Sequence, residues 1–106
     1  MTGRSAMRAA QGARDANHGQ VATWYQELYC LAFDCHSLGG GFPDLLVGIP
    51  TRIGRVLALV EVKTADGRLK PSQETFIRQW GTGCIEIVQT REDVFRHVER
   101  VRRAAR

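Results

Sequence analysis

Gly41-Phe42-Pro43-Asp44-Leu45-Leu46-Val47-Gly48-Ile49, answered by Leu57-Ala58-Leu59-Val60-Glu61-Val62-Lys63, is the stretch that decides the fold. Both are apolar runs of strand character, and a short polar link, Pro50-Thr51-Arg52-Ile53-Gly54, joins them. An antiparallel hairpin turning between Arg52 and Ile53 sets Asp44 opposite Glu61, and opposed residues point to the same face of a sheet. Lys63 shares that face by the period of a strand. One face then carries Leu45, Val47, Ile49, Val56, Ala58, Val60 and Val62. The other carries Leu46, Gly48, Leu57 and Leu59 ahead of Asp44, Glu61 and Lys63. Apolar residues on both faces predict an α/β fold, a mixed sheet around a central hairpin with helices on both faces.

On the N-terminal side, residues 1–14 are rich in Gly, Ala, Ser and Arg without periodicity and read as a mobile basic arm. Residues 15–106 read as a single domain. Asp15 or Asn17 is expected to cap a helix beginning near His18, with Val21, Trp24, Tyr25 and Leu28 as its buried stripe. Gln20 and Glu27 border that stripe, and His18 reads as a surface histidine. A strand is expected near Leu31 to His36, then a glycine loop at Gly39-Gly40-Gly41.

On the C-terminal side of the hairpin, Thr64 to Lys70 reads as a loop with a turn at Asp66-Gly67. Pro71 starts a helix through Phe76, Ile77 and Trp80 that stops at Gly81. Lys70 is a poor N-cap, which leaves its side chain for something outside the helix. Cys84 to Gln89 is a further strand, and Thr90-Arg91-Glu92-Asp93 starts a last helix with Val94, Phe95, Val98 and Val101 inward. The predicted order is helix, strand, strand, strand, helix, strand, helix.

A chain of 106 residues has room for one modest core, and 43% hydrophobic with 25% charged residues fits a globular protein. No apolar run approaches the roughly 20 residues of a membrane span, and the N-terminus has no secretory signal, so a cytoplasmic protein is expected. Cys30, Cys35 and Cys84 cannot all pair within one chain and read as buried free thiols. A zinc site from these cysteines and His36 lacks the spacing of a zinc knuckle. The net charge is +4, and thirteen of the fifteen cations are arginines, gathered toward the two ends of the chain. Guanidinium groups suit phosphate, so nucleic acid is a natural partner; a solvated surface is the plain alternative.

Two carboxylates brought face to face repel, and a fold seldom assembles them without a cation. Oxygen ligands completed by waters suit Mg²⁺ or Mn²⁺. Asp44 and Glu61 supply such ligands, and the carbonyl of Val62 between Glu61 and Lys63 adds a neutral one. A metal so held activates water and stabilises a phosphodiester transition state, with Lys63 beside it. The plain structural alternative is a salt bridge from either acid to Lys63 at a strand end.

Pro43-Asp44, sixteen intervening residues and Glu61-Val62-Lys63 resemble the PD-(D/E)xK nuclease superfamily. With the glycine loop, Thr64 and Leu69-Lys70-Pro71-Ser72-Gln73, the chain is similar to its VRR-NUC (virus-type replication-repair nuclease) group, from about Asp15 to the last strand. The resemblance implies a restriction-endonuclease-like core in which Asp44 and Glu61 hold metal and Lys63 is the catalytic lysine. Gln73 matches a glutamine the group places beside the site; an ordinary first-turn polar residue is the alternative. The group has a metal-binding glutamate on its first helix, where this chain has Gln20. Glu27, about two turns further along the same helical line, is the candidate substitute for it.

The function expected is a phage- or prophage-type endonuclease using Mg²⁺ or Mn²⁺ on branched DNA, resembling a Holliday-junction resolvase and acting as a homodimer. Arg14, Arg68 and Lys70 are the cations expected at the nucleic acid. Two other readings stand beside it. One is a nuclease-fold DNA-binding module impaired by Gln20; the other is a sequence-specific nuclease of restriction type, which the lack of a base-reading insertion disfavours.

Overall fold

The computed structural model of the chain describes residues 13–63, 68–81 and 83–105, with side chains from His18 onward. In order come α1 (Ala13–Glu27), β1 (Leu31–Asp34), a 3₁₀ turn (His36–Leu38), β2 (Leu45–Thr51), β3 (Gly54–Val62), α2 (Pro71–Trp80), β4 (Ile85–Val88) and α3 (Arg91–Ala104). This is the predicted order. The expected basic arm lies, except for its last two residues, outside the described residues, as does the turn expected at Asp66-Gly67.

The hairpin has the predicted register. β2 and β3 pair antiparallel from Leu45 opposite Val60 to Thr51 opposite Gly54, leaving Arg52-Ile53 as the turn. The Thr51 hydroxyl holds that turn, donating to the Gly54 carbonyl and accepting from the Ile53 amide at 3.2 Å. β1 adds antiparallel to β2, and β4 adds parallel to β3 in the sheet order β1-β2-β3-β4. A parallel neighbour requires a crossover, which α2 provides.

The core lies on the face of Leu45, Val47, Ile49 and Val60, against Val21 and Tyr25 of α1 and Val94 and Val98 of α3. Each buried aliphatic side chain there contributes about 1.5–3 kcal/mol. Among the described residues, the opposite face is covered at one end, where Gln73 of α2 reaches Glu61. α2 is ten residues, roughly 15 Å, too short to span the sheet. Leu31, Phe33 and Leu57 on that face remain 60%, 67% and 70% exposed. Helices thus lie on both faces, as expected, but the second layer is partial.

Four local expectations are corrected. α1 begins at Ala13, ahead of the expected start near His18. β1 stops at Asp34 instead of His36, because the Asp34 carboxylate accepts from the His36 amide at 2.8 Å and bends the chain into the 3₁₀ turn. Cys84 is exposed, unlike Cys30 and Cys35. In α3 the inward positions are Val94, His97 and Val98, while Phe95 is half exposed. Spacings of three and four residues select one stripe, and Phe95 lies about 100° off it. Thr90 and Asp93 do form the expected reciprocal cap, at 3.1 and 3.0 Å.

The arginines of α3 are engaged within the fold. Arg100 grips Glu86 with two bonds of 3.1 and 3.0 Å, and Arg91 pairs with Glu27 at 2.8 Å. Arg102 donates to the carbonyls of Pro50 and Leu28, the latter at the end of α1. Arg96 and Arg103 pair with acids of their own helix. Among the described residues, no helix is long and apolar enough to cross a membrane.

His97 is a buried polar group with partners from two other elements. Tyr25 of α1 shares a 2.7 Å hydrogen bond with its Nδ1, and Glu86 of β4 lies 4.0 Å from its Nε2. Burial pushes the imidazole below its usual range, against the pull of Glu86. The Arg100 guanidinium holds Glu86 below the usual carboxylate range, against the effect of burial. Both groups therefore bind protons more weakly folded than unfolded, so their contributions are complete at neutral pH and lost on acidification. The expected outcome is a melting temperature that falls from about pH 6.5 downward. His97→Gln should flatten the upper part of that fall, above the carboxylate range, as read by thermal denaturation from pH 7.5 to 4.

Candidate active site

The site forms where the glycine loop enters β2 and β3 leaves the sheet. Gly39, Gly40 and Gly41 all have left-handed backbone, at φ of 70°, 64° and 79°. At Gly41 the need is also steric, because an added Cβ would lie 2.2 Å from the Ser72 carbonyl oxygen. The loop thus lies directly against the first turn of α2, and Phe42 packs edge to face on Phe76, with ring centroids 5.4 Å apart. Pro43, fully buried, then delivers Asp44 to the sheet.

Asp44 and Glu61 are 5% and 2% exposed. Oδ2 of Asp44 accepts from the Val62 amide at 2.8 Å, which ties the acid before β2 to the end of β3. Oδ1 of Asp44 lies 3.2 Å from Nε2 of His18. The Glu61 carboxyl is within hydrogen-bond reach of Asp44 and accepts from the Gln73 side-chain amide. Burial alone would push the Asp44 carboxyl up; the His18 ring, the Val62 amide and Glu61 together hold it below the usual range.

Gln73 has two roles at once. Its Oε1 accepts from the Lys70 amide at 2.7 Å, closing the first turn of α2, while its Nε2 donates to Glu61. The cap that Lys70 cannot provide comes from Gln73, and in taking it Gln73 is aimed at the acids. Lys63, half-buried, lines a shallow depression with Arg68, Leu69, Glu74 and Ile87. Val62 is buried, and Lys63 continues the pairing with β4 through its amide, 2.8 Å from the Val88 carbonyl.

The structure brings together Asp44, Glu61 and Gln73, with Val62 and Lys63 adjoining. Gln20 is exposed. It stands two residues from His18, about 200° round the helix, so both cannot face the acids. Glu27 is also exposed and is spent on Arg91. Arg68 and Lys70 are exposed at the rim, and the Arg14 side chain lies outside the described residues. His18, read from sequence as a surface residue, is 4% exposed and is the helix residue that meets Asp44. Its signal was present: His18, Val21 and Tyr25 recur at helical spacing, and all three are buried.

The VRR-NUC domain model matches residues 5–88, from ahead of α1 to the end of β4. The chain belongs to the VRR-NUC family. Neither the search of curated proteins nor that of solved structures found a match. Membership makes this a nuclease-type domain with DNA as its substrate and divalent-metal chemistry. The residues present fit such an ion. Two buried carboxyls face one another, and among the described residues the buried Nε2 of His18 has no hydrogen-bond partner.

The contact between loop and α2 generates a test within this VRR-NUC domain. Gly41→Ala should lower stability by about 1–3 kcal/mol through backbone strain. By shifting α2 and Gln73, it should also lower DNA cleavage by roughly 10- to 100-fold. Gly40→Ala carries the same backbone strain without the clash and should cost stability alone; denaturant titration and a cleavage time course separate the two.

Proposed function

We propose that this VRR-NUC protein is a structure-selective endonuclease that hydrolyses phosphodiesters in branched DNA, in the manner of a Holliday-junction resolvase. The observation that carries this reading is the convergence of Asp44, Glu61 and Gln73 at one sheet end, with Lys63 alongside. Asp44 and Glu61 would hold Mg²⁺ or Mn²⁺, with the Val62 carbonyl as a third ligand. A divalent ion bound there supplies Lewis acidity to the scissile phosphate and to the attacking water.

The protein's own groups do the rest. Gln73 fixes the rotamer of Glu61 beside Asp44. The Val62 amide fixes Asp44 in the same way. Lys63 brings a positive charge to the oxygens where negative charge develops, or orients the water. Arg68 and Lys70 at the rim, with Arg14 from α1, would follow the phosphate backbone, so binding should weaken steeply with salt. The connection between β2 and β3 is two residues and bears no base-reading element, which favours recognition of DNA shape over sequence.

A four-way junction requires two symmetric cuts, and a two-fold homodimer supplies them. The apolar face of Leu31, Phe33 and Leu57 is surface of the kind such a dimer covers. The competing reading, a nuclease-fold binding module that no longer cuts, was drawn from Gln20. Exposed and turned from the acids, Gln20 gives it no further support.

The decisive experiment is a cleavage panel of four-way junction, flap, splayed and linear DNA with each metal. Paired, symmetric cuts in the junction are expected, with linear duplex cut least; a panel left intact by both metals overturns the enzyme reading. Asp44→Asn and Lys63→Ala should each lower cleavage at least ~10³-fold, on the scale of lost electrostatic stabilisation. DNA binding by gel shift should persist in both, and retained cutting would show that these residues are not the catalytic ones.

A further inference from the structure

Beside the acids lies a cluster that the nuclease motif does not include. One ligand atom each from His18, His36 and Asp44 lie within 4.8 Å of one another. His18 reaches the point from α1 and His36 from the 3₁₀ turn after β1, so two separate elements converge on the carboxylate. Their rings meet edge to face, with centroids 5.2 Å apart at 78°. We propose that His18, His36 and Asp44 form a divalent-metal site of two imidazoles and one carboxylate, which makes this chain select a transition-metal dication over Mg²⁺. The proposal rests on Asp44 being a metal ligand, and it adds the identity of its neighbours and the class of ion.

Three observations carry it. First, Nε2 of His18 is buried and lacks a hydrogen-bond partner among the described residues: Oδ1 of Asp44 is 3.2 Å away but without the alignment of a hydrogen bond. An unsatisfied buried polar atom is costly, and a bound cation removes that cost by taking the nitrogen lone pair. Second, the other Asp44 oxygen is already committed to the Val62 amide, so Oδ1 is the one turned toward the imidazole. Third, atoms bound to one ion at about 2.0–2.2 Å lie roughly 3–3.5 Å apart, the spacing of the His18–Asp44 pair. His36 is exposed, so the site has a path for ion and water. Its backbone is held by the Asp34 carboxylate.

The ligand chemistry then sets the metal. Mg²⁺ demands an octahedron of hard oxygens and gives up water reluctantly. Imidazole suits Zn²⁺, Ni²⁺ and Co²⁺, and affinity for nitrogen-bearing sites rises along the series from Mn²⁺. An all-oxygen site at Asp44 and Glu61 would show a weaker preference against Mg²⁺.

The test is metal binding followed at the histidine rings, in a Cys84→Ser background that removes the exposed thiol. Zn²⁺ added to the apo protein should shift the ring ¹⁵N signals of His18 and His36, while His97, bonded to Tyr25 in the core, stays in place as the internal reference. Excess Mg²⁺ should not displace the ion. Calorimetry with Zn²⁺ and Co²⁺ should give dissociation constants raised at least ~10-fold by His36→Ala, since even outer-shell changes cost that much. His18→Gln should do the same. Because His18 is buried, His36→Ala decides the matter if His18→Gln fails to fold. Unmoved His18 and His36 signals, or wild-type affinity in His36→Ala, would mean a His18–Asp44 ion pair only and overturn the site. DNA cleavage with Mg²⁺ in that case leaves the endonuclease reading standing. Ring-bound metal in a protein that cuts no DNA would uphold the site and overturn the endonuclease.

Discussion

One backbone hydrogen bond, from the Val62 amide to Oδ2 of Asp44, fixes the geometry on which the site depends. It locks the residue before β2 to the end of β3, so the hairpin register becomes the register of the catalytic groups. A slip of one residue would turn Glu61 to the opposite face and bury a carboxylate among Leu45 and Val47. The apolar face and the acidic end therefore enforce one another. Burying Leu45, Val47 and Ile49 selects the pairing that sets Asp44 beside Glu61, and the Val62 amide secures the end of it.

The second layer of the site follows the same economy. Gly41 admits the Ser72 carbonyl, and that approach seats the first turn of α2 over Glu61. The Lys70 side chain cannot accept a bond from its own helix, and Gln73 closes the turn from the third position. One side chain thus finishes a helix and orients an acid. A first-turn residue and a site residue, alternatives in the sequence, are here the same residue.

The hairpin was legible because a strand has a period of two and its turn leaves one pairing that buries both apolar runs. Asp44 opposite Glu61 follows from that alone, and the family motif adds their roles. The phase of α1 was not legible to the same degree. A stripe of Val21, Trp24 and Tyr25 tolerates rotation, and the distinction between His18 and Gln20 depends on a rotation of about 200°. Only packing against the sheet and α3 sets it. The same kind of competition misplaced Phe95, whose hydrophobicity argued inward while its position on the helix put His97 there. Composition did not show how the arginines of α3 are held: Arg91, Arg100 and Arg102 are far in sequence from Glu27, Glu86 and the end of α1, and only the tertiary fold shows their engagement. Partial covering of the second sheet face was equally invisible, since an apolar strand residue reads the same covered or bare.

α3 has a consequence for how the protein is divided. The family match ends with β4, yet Val94, His97 and Val98 close the core over Val47 and Val60. The unit recognised by homology and the unit that folds are therefore different objects. A fragment cut at the homology boundary would keep every motif residue and expose the hydrophobic floor beneath them. In this chain the chemistry is written in the first 88 residues, and the helix that follows is what makes them a body.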